Sequence, residues 1–129
     1  MITLSLLQFL ANNGFGTVDI DLFWEKLSLN KNGIFIKSIG QAQERGQRRT
    51  QRYEIYSRGS NDVNGYERLK AIIDFLNDSY DNCVLPKCPL VASSEEYSNV
   101  TILPLSTPTN IGEDGNGRTI WSASGELNY

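Results

Sequence analysis

Tyr53-Glu54-Ile55-Tyr56-Ser57-Arg58-Gly59-Ser60-Asn61-Asp62-Val63-Asn64-Gly65-Tyr66-Glu67-Arg68-Leu69-Lys70-Ala71-Ile72-Ile73-Asp74-Phe75-Leu76 decides the fold of this chain. Its opening residues alternate Tyr53, Ile55 and Ser57 with Glu54, Tyr56 and Arg58, the pattern of a strand with one buried face. Ser60-Asn61-Asp62 then offers side chains that cap a helix. Beyond it Tyr66, Leu69, Ile73 and Leu76 recur at spacings of three, four and three, which gives one apolar helical face. Ile72 and Phe75 broaden that face, whereas Glu67, Lys70 and Asp74 fall on the outer side. Glu67 and Lys70 are three apart and can interact. Asn77-Asp78 ends the helix. A half-buried strand followed by an amphipathic helix calls for a sheet with helices packed on it.

Upstream, Leu4, Leu6, Leu7 and Leu10 nearly fill one helical stripe and Phe9 widens it. Thr3 is positioned to cap this helix, and Asn12-Asn13-Gly14 supplies a left-handed stop. Ile20 to Leu29 reads as a strand with Phe23 and Trp24 at its centre. Asn30-Lys31-Asn32-Gly33 is a turn signal, and Ile34 to Ile39 reads as the returning strand of a hairpin. Gly40 to Thr50 has Ala42 as its one apolar residue and is expected to be a long exposed hairpin loop.

Downstream, Ser79 to Asn99 is expected to be irregular, broken by Pro86 and Pro89. Val100 to Leu103 reads as a strand whose end Pro104 and Pro108 confine to a sheet edge. Asp114-Gly115-Asn116-Gly117 is a second turn, and Arg118 to Ala123 a final strand containing Trp121. Helix, three strands, helix, two strands predicts an α+β fold: a mainly antiparallel sheet packed against two helices.

At 129 residues the chain is expected to be a single domain, 1–129, with one core. Hydrophobic residues at 40% and charged residues at 21% are ordinary for a globular protein. A formal charge of −3 gives no global attraction to nucleic acid or an anionic membrane. No signal peptide is expected at Met1, and no apolar run approaches the ~20 residues that span a bilayer, so the chain is expected to work in a cytoplasm. Cys83 and Cys88 are expected to be free thiols in a loop.

The chain contains no histidine, which excludes Ser–His and Cys–His catalysis and the common His-type metal sites. Asp19 with Asp21, Glu95 with Glu96, and Glu113 with Asp114 are acidic pairs, each read as solvated loop charges. The run from Asn110 to Gly117 lacks the alternating acidic ligands and closing Glu of a calcium loop. No enzymatic activity, metal or cofactor is expected.

One charge concentration stands out: Arg45, Arg48, Arg49, Arg52 and Arg58. From Gln41 to Arg58 five basic residues face two acidic ones, a local +3, whereas Leu90 to Tyr129 holds five acidic residues and one basic. Such asymmetry suits a charged contact with a neighbouring protein subunit, a nucleic-acid contact using these arginines with Tyr53 and Tyr56, or a solvated hairpin tip kept soluble by arginine. Glu44, Glu54 and the acidic C-terminal third are candidates to neutralise some of the arginines.

Several segments resemble the minor capsid/tail terminator family of long-tailed bacteriophages. Asn13-Gly14-Phe15-Gly16-Thr17-Val18 with Asp21-Leu22-Phe23 is similar to that family's entry into its first strand. Gln51 to Gly59 is similar to its strand ending in an arginine, and Tyr66 to Leu76 to its helix. Thr107-Pro108 to Arg118, with Trp121 and Asn128-Tyr129, looks like its closing hairpin. Cys83 to Ser98 and Trp24-Glu25-Lys26 depart from the family pattern. The resemblance implies a virion protein that forms a hexameric ring at the head-proximal end of the tail. Its partners would be the tail tube protein and the head connector, with DNA passing through the lumen unread. Head-joining and tube proteins share the fold, so the resemblance leaves these neck and tail roles open.

Overall fold

A computed structural model describes residues 2–26 and 31–129. Among these residues two helices and seven strands follow in the order α1 (Ile2–Asn12), β1 (Leu22–Trp24), β2 (Gly33–Arg45), β3 (Arg48–Arg58), α2 (Asp62–Asp78), β4 (Cys83–Leu85), β5 (Tyr97–Ile102), β6 (Thr109–Glu113) and β7 (Thr119–Asn128). The strands form one curled mixed sheet in the order β1-β2-β3-β7-β5-β4, with β6 added beside β7. The fold is α+β.

β3 and α2 form where the sequence places them. Asn61 caps α2 by accepting the Asn64 amide at 2.9 Å, and Leu69, Ile72, Ile73 and Leu76 are buried. Lys70 pairs with Asp74 at 2.7 Å, one turn on instead of three residues back to Glu67, both spacings being within reach on a helix. On the sheet's inner face Ile34, Ile36, Tyr53, Ile55, Ala123 and Leu127 join the core, together with Leu4, Leu6, Leu7 and Leu10 of α1. Phe9 and Phe15 both pack on Phe75, at 5.4 and 5.0 Å, and so tie α1 to α2. Tyr53 lies across Gly125 so closely that a Cβ there would come within 2.6 Å of the phenol. Among the described residues no helix is long and apolar enough to cross a membrane.

Several expectations are overturned. β1 stops at Trp24 because Glu25, at φ 64, turns the chain away. β1 then pairs with β2 in parallel, Leu22 opposite Ile34 and Trp24 opposite Ile36, so the two are not arms of a hairpin. Gly33 is required at this junction: at φ +156 a Cβ would stand 2.5 Å from the carbonyl oxygen of Asp21. Residues 27–30, the rest of the expected strand and the first residue of the expected turn, lie outside the described residues. Thr3 does not cap α1 but is buried within it, where its hydroxyl accepts from the Trp24 indole at 2.9 Å and meets the Ser38 hydroxyl at 2.7 Å.

The expected loop at Gly40 to Thr50 is largely strand. Gln43 pairs with Thr50, Glu44 with Arg49 and Arg45 with Arg48, leaving only Gly46-Gln47 to turn. The side chains are polar because this end of the hairpin stands in solvent, but the backbone bonds do not need apolar residues. Residues 83–85 also form a strand, in a stretch expected to be irregular, and this strand places β5 between β7 and β4 instead of at an edge. Cys83 lies in β4, and both cysteines are free and buried.

Ile73 is 2% exposed, and truncating such a side chain usually costs about 2–5 kcal/mol. Ile73→Ala should lower the melting temperature clearly, whereas Lys70→Ala should leave it nearly unchanged. Equal shifts in a thermal melt would refute this packing of α2.

Candidate interaction surface

The arginines of this stretch whose side chains are described, Arg48, Arg49, Arg52 and Arg58, do not form one patch. Strand alternation and the different depth of each position send them to three environments.

Arg45, Arg48 and Arg49 lie at the tip of the β2–β3 hairpin. Arg49 faces Glu44 across the ladder, with nitrogen and oxygen 3.4 Å apart and both side chains more than half exposed. Arg48 donates to the backbone oxygens of Asn99 at 3.1 Å and Asn128 at 3.0 Å. The last residues of the chain hold this tip in place: Arg49 and Tyr129 exchange backbone bonds of 2.6 and 2.9 Å, and Thr50 donates to Asn128 Oδ1 at 2.8 Å. Below the tip β2 bulges, with residues 40–42 facing Gln51 alone between the Ile39–Arg52 and Gln43–Thr50 pairs. The buried Gln51 amide donates to the Gly40 oxygen at 3.2 Å and so supplies a partner that the ladder cannot.

Arg52 lies on the sheet's outer face opposite Glu126, 3.7 Å away. Lys37 and Glu54 are register partners on the same face. Among the described residues Glu54 pairs with no arginine; it accepts the Tyr56 hydroxyl. Partial burial, this hydrogen bond and the Glu54 charge push the Tyr56 phenol up to about 12, so it stays a donor across the physiological range. A depression of about 300 Å³ opens here, with Ile39, Arg52, Glu54, Leu103, Pro104 and Glu126 among its lining. An adjoining one of about 310 Å³ shares Ile39, Arg52 and Glu126. The Arg52–Glu126 pair lines both depressions.

Arg58 is not a surface residue: its side chain is fully buried, 3.5 Å from an Asp114 carboxylate that is 6% exposed. Arg58 also donates to the Lys31 carbonyl at 2.5 Å and lies over the Phe35 ring at 5.4 Å. Asp114 accepts the Asn116 and Arg118 amides, each at 2.9 Å, and the Arg118 guanidinium at 2.8 Å. Arg118 in turn reaches Asn32 at 2.9 Å. Asp114 is thus a buried anchor and not a solvated loop charge; the glycine-containing turn after it curls two amides back onto its carboxylate. Burial and the Arg118 charge pull the Arg58 guanidinium below its ordinary value, against the opposing pull of Asp114. For Asp114, burial pushes the carboxyl up, but the Arg118 and Asn116 amides and the Arg118 charge outweigh it and hold the group below its usual range.

Sequence reasoning missed the depth of Arg58 and Asp114. The available signal was Asp114 opening a glycine-containing turn beside Arg118, but the partner that buries it lies 56 residues away by sequence number (114 − 58). No protein-family model matches the chain, and neither does any curated protein.

Because the folded-state value of Asp114 is depressed, its contribution is fully present above the unfolded carboxylate value of 3.8 and is lost as pH falls through the folded value. Asp114→Asn should therefore be less stable than the parent at neutral pH, and the gap should narrow below about pH 4. Chemical denaturation at two pH values measures this, and a gap that stays constant would refute the ion-pair role.

Proposed function

We propose that this chain is a non-catalytic structural subunit of a phage tail. In this reading its tail-terminator-like fold, with a mainly antiparallel sheet, forms a hexameric ring at the head-proximal end, ends the tail tube and joins the tail to the head connector. DNA passes through the lumen without being read, and the protein resides in the virion after assembly in the host cytoplasm. The family resemblance of its strand, helix and closing-hairpin motifs suggests this role.

The observation that carries it is the pairing of the exposed arginines. Arg49 faces Glu44 and Arg52 faces Glu126 in exposed geometry. Pairs of this kind contribute at most about 1 kcal/mol, so a neighbouring protein can exchange them at little cost. Glu44 and Glu126, set beside these arginines, would repel a phosphate backbone. Arg48, whose bonds are to carbonyl oxygens, keeps its full charge available to an acidic partner.

Replacing Arg48, Arg49 and Arg52 together with Glu should abolish ring formation or tail capping, read as native mass with and without tail tubes. The unmodified protein should bind duplex DNA weakly at physiological salt. Tight DNA binding that disappears in the triple variant, falling by about 0.9 log units per log unit of salt for each phosphate contact, would replace this reading with a nucleic-acid-binding module.

A further inference from the structure

We infer that neighbouring copies join head to tail, with the β2–β3 hairpin tip of one copy seated on the outer stripe of α2 of the next; this rests on the ring reading above. Glu67, Ala71, Asp74 and Asp78 recur along α2 at spacings of four, three and four, and all are exposed. Ala71 keeps the middle of the stripe low, so a long side chain can lie across it. With Lys70 counted, the stripe carries three negative charges and one positive, net −2. The tip, Glu44, Arg45, Arg48 and Arg49, carries three positive and one negative, net +2. The two patches are equal and opposite.

Two further observations favour a second copy as the occupant. Asp74 and Asp78 lie toward the C-terminal end of α2, the negative end of its dipole, and no basic residue stands in the last turn. Carboxylates there are destabilising alone, and cations from outside relieve them. Within one copy the patches do not meet: Arg49 pairs with Glu44, Arg48 with the Asn99 and Asn128 carbonyls, and Asp74 with Lys70. Complementary patches at different places on one subunit make a heterologous contact, which closes into a ring when the rotation per step allows. Two of the sheet's edges are poorly suited to pairing with another strand. β6 carries a bulge between Asn110 and Glu113, and β4 is three residues long and followed by Pro86, devices that discourage strand addition.

Charge reversal tests this directly. R45E/R49E turns the tip from +2 to −2 and leaves Arg48 and its carbonyl bonds in place. E67K/D78K turns the stripe from −2 to +2 and leaves the Lys70–Asp74 pair in place. Each variant alone should assemble about tenfold or more weakly than the parent in sedimentation velocity, because like charges then face each other. An equimolar mixture of the two should recover assembly, since each reversed patch finds its complement on the other variant. Unchanged melting temperatures establish that both variants fold. Variants that assemble like the parent, or a mixture that fails to recover, overturn this contact while leaving the ring itself standing. A parent that stays monomeric even with tail tubes overturns both.

Discussion

Strand β3 is hydrogen-bonded along nearly its whole length by β2 on one side and β7 on the other, and its period of two sorts the molecule. One row, Tyr53, Ile55 and Ser57, is buried beneath the helices; the other, Arg52, Glu54 and Tyr56, faces outward. A slip of one residue would bury charge and expose the core. The register resists such a slip because particular residues must coincide: Tyr53 needs Gly125 opposite it, and Arg52 meets Glu126. The outer face and the hairpin tip inherit their arrangement from this strand.

The parts of the fold legible in the sequence are those whose signal is local. The β3 alternation, the α2 stripe and its Asn61 cap, and the leucines of α1 each show a period or a cap within one element, and the structure has all of them. What escaped reading depends on partners distant in sequence. Parallel pairing of β1 with β2 is decided by Glu25 turning out of the strand and by the close approach of Gly33 to Asp21, neither of which a turn-like Asn-Gly motif reveals. The strands at the hairpin tip were hidden by their polarity, because backbone pairing leaves no hydrophobic pattern when both faces are wet. Thr3 has the chemistry of a cap but lies within the helix, where Trp24 and Ser38 claim its hydroxyl.

The candidate surface was partly legible. The concentration of arginine between residues 45 and 58 is visible in composition, and Arg48, Arg49 and Arg52 are exposed. Composition does not separate a solvated arginine from a buried one. Arg58 shares the outward phase of Arg52, yet it lies at the covered end of the sheet, where Asp114, Lys31 and Phe35 enclose it. The acidic C-terminal third does supply neutralising partners, Glu126 for Arg52 and Asp114 for Arg58. Nothing in either sequence position announces these pairings, because sheet topology creates them.

The buried cluster around Asp114 joins three stretches of chain: the end of β3, the β6–β7 turn and residues 31–32 at the entry to β2. Separating the end of β3 from the β6–β7 turn parts the buried Arg58 from Asp114, and opening residues 31–32 removes the carbonyl that accepts from Arg58 and the Asn32 contact of Arg118; either costs more than fraying an ordinary hairpin end. The C-terminal hairpin therefore cannot come away while the rest of the sheet stays intact. It is tied to the same cooperative unit as the central strand, and the amides of β7 are expected to exchange with solvent through opening on that larger scale. Joining chain positions so far apart also costs loop-closure entropy early in folding.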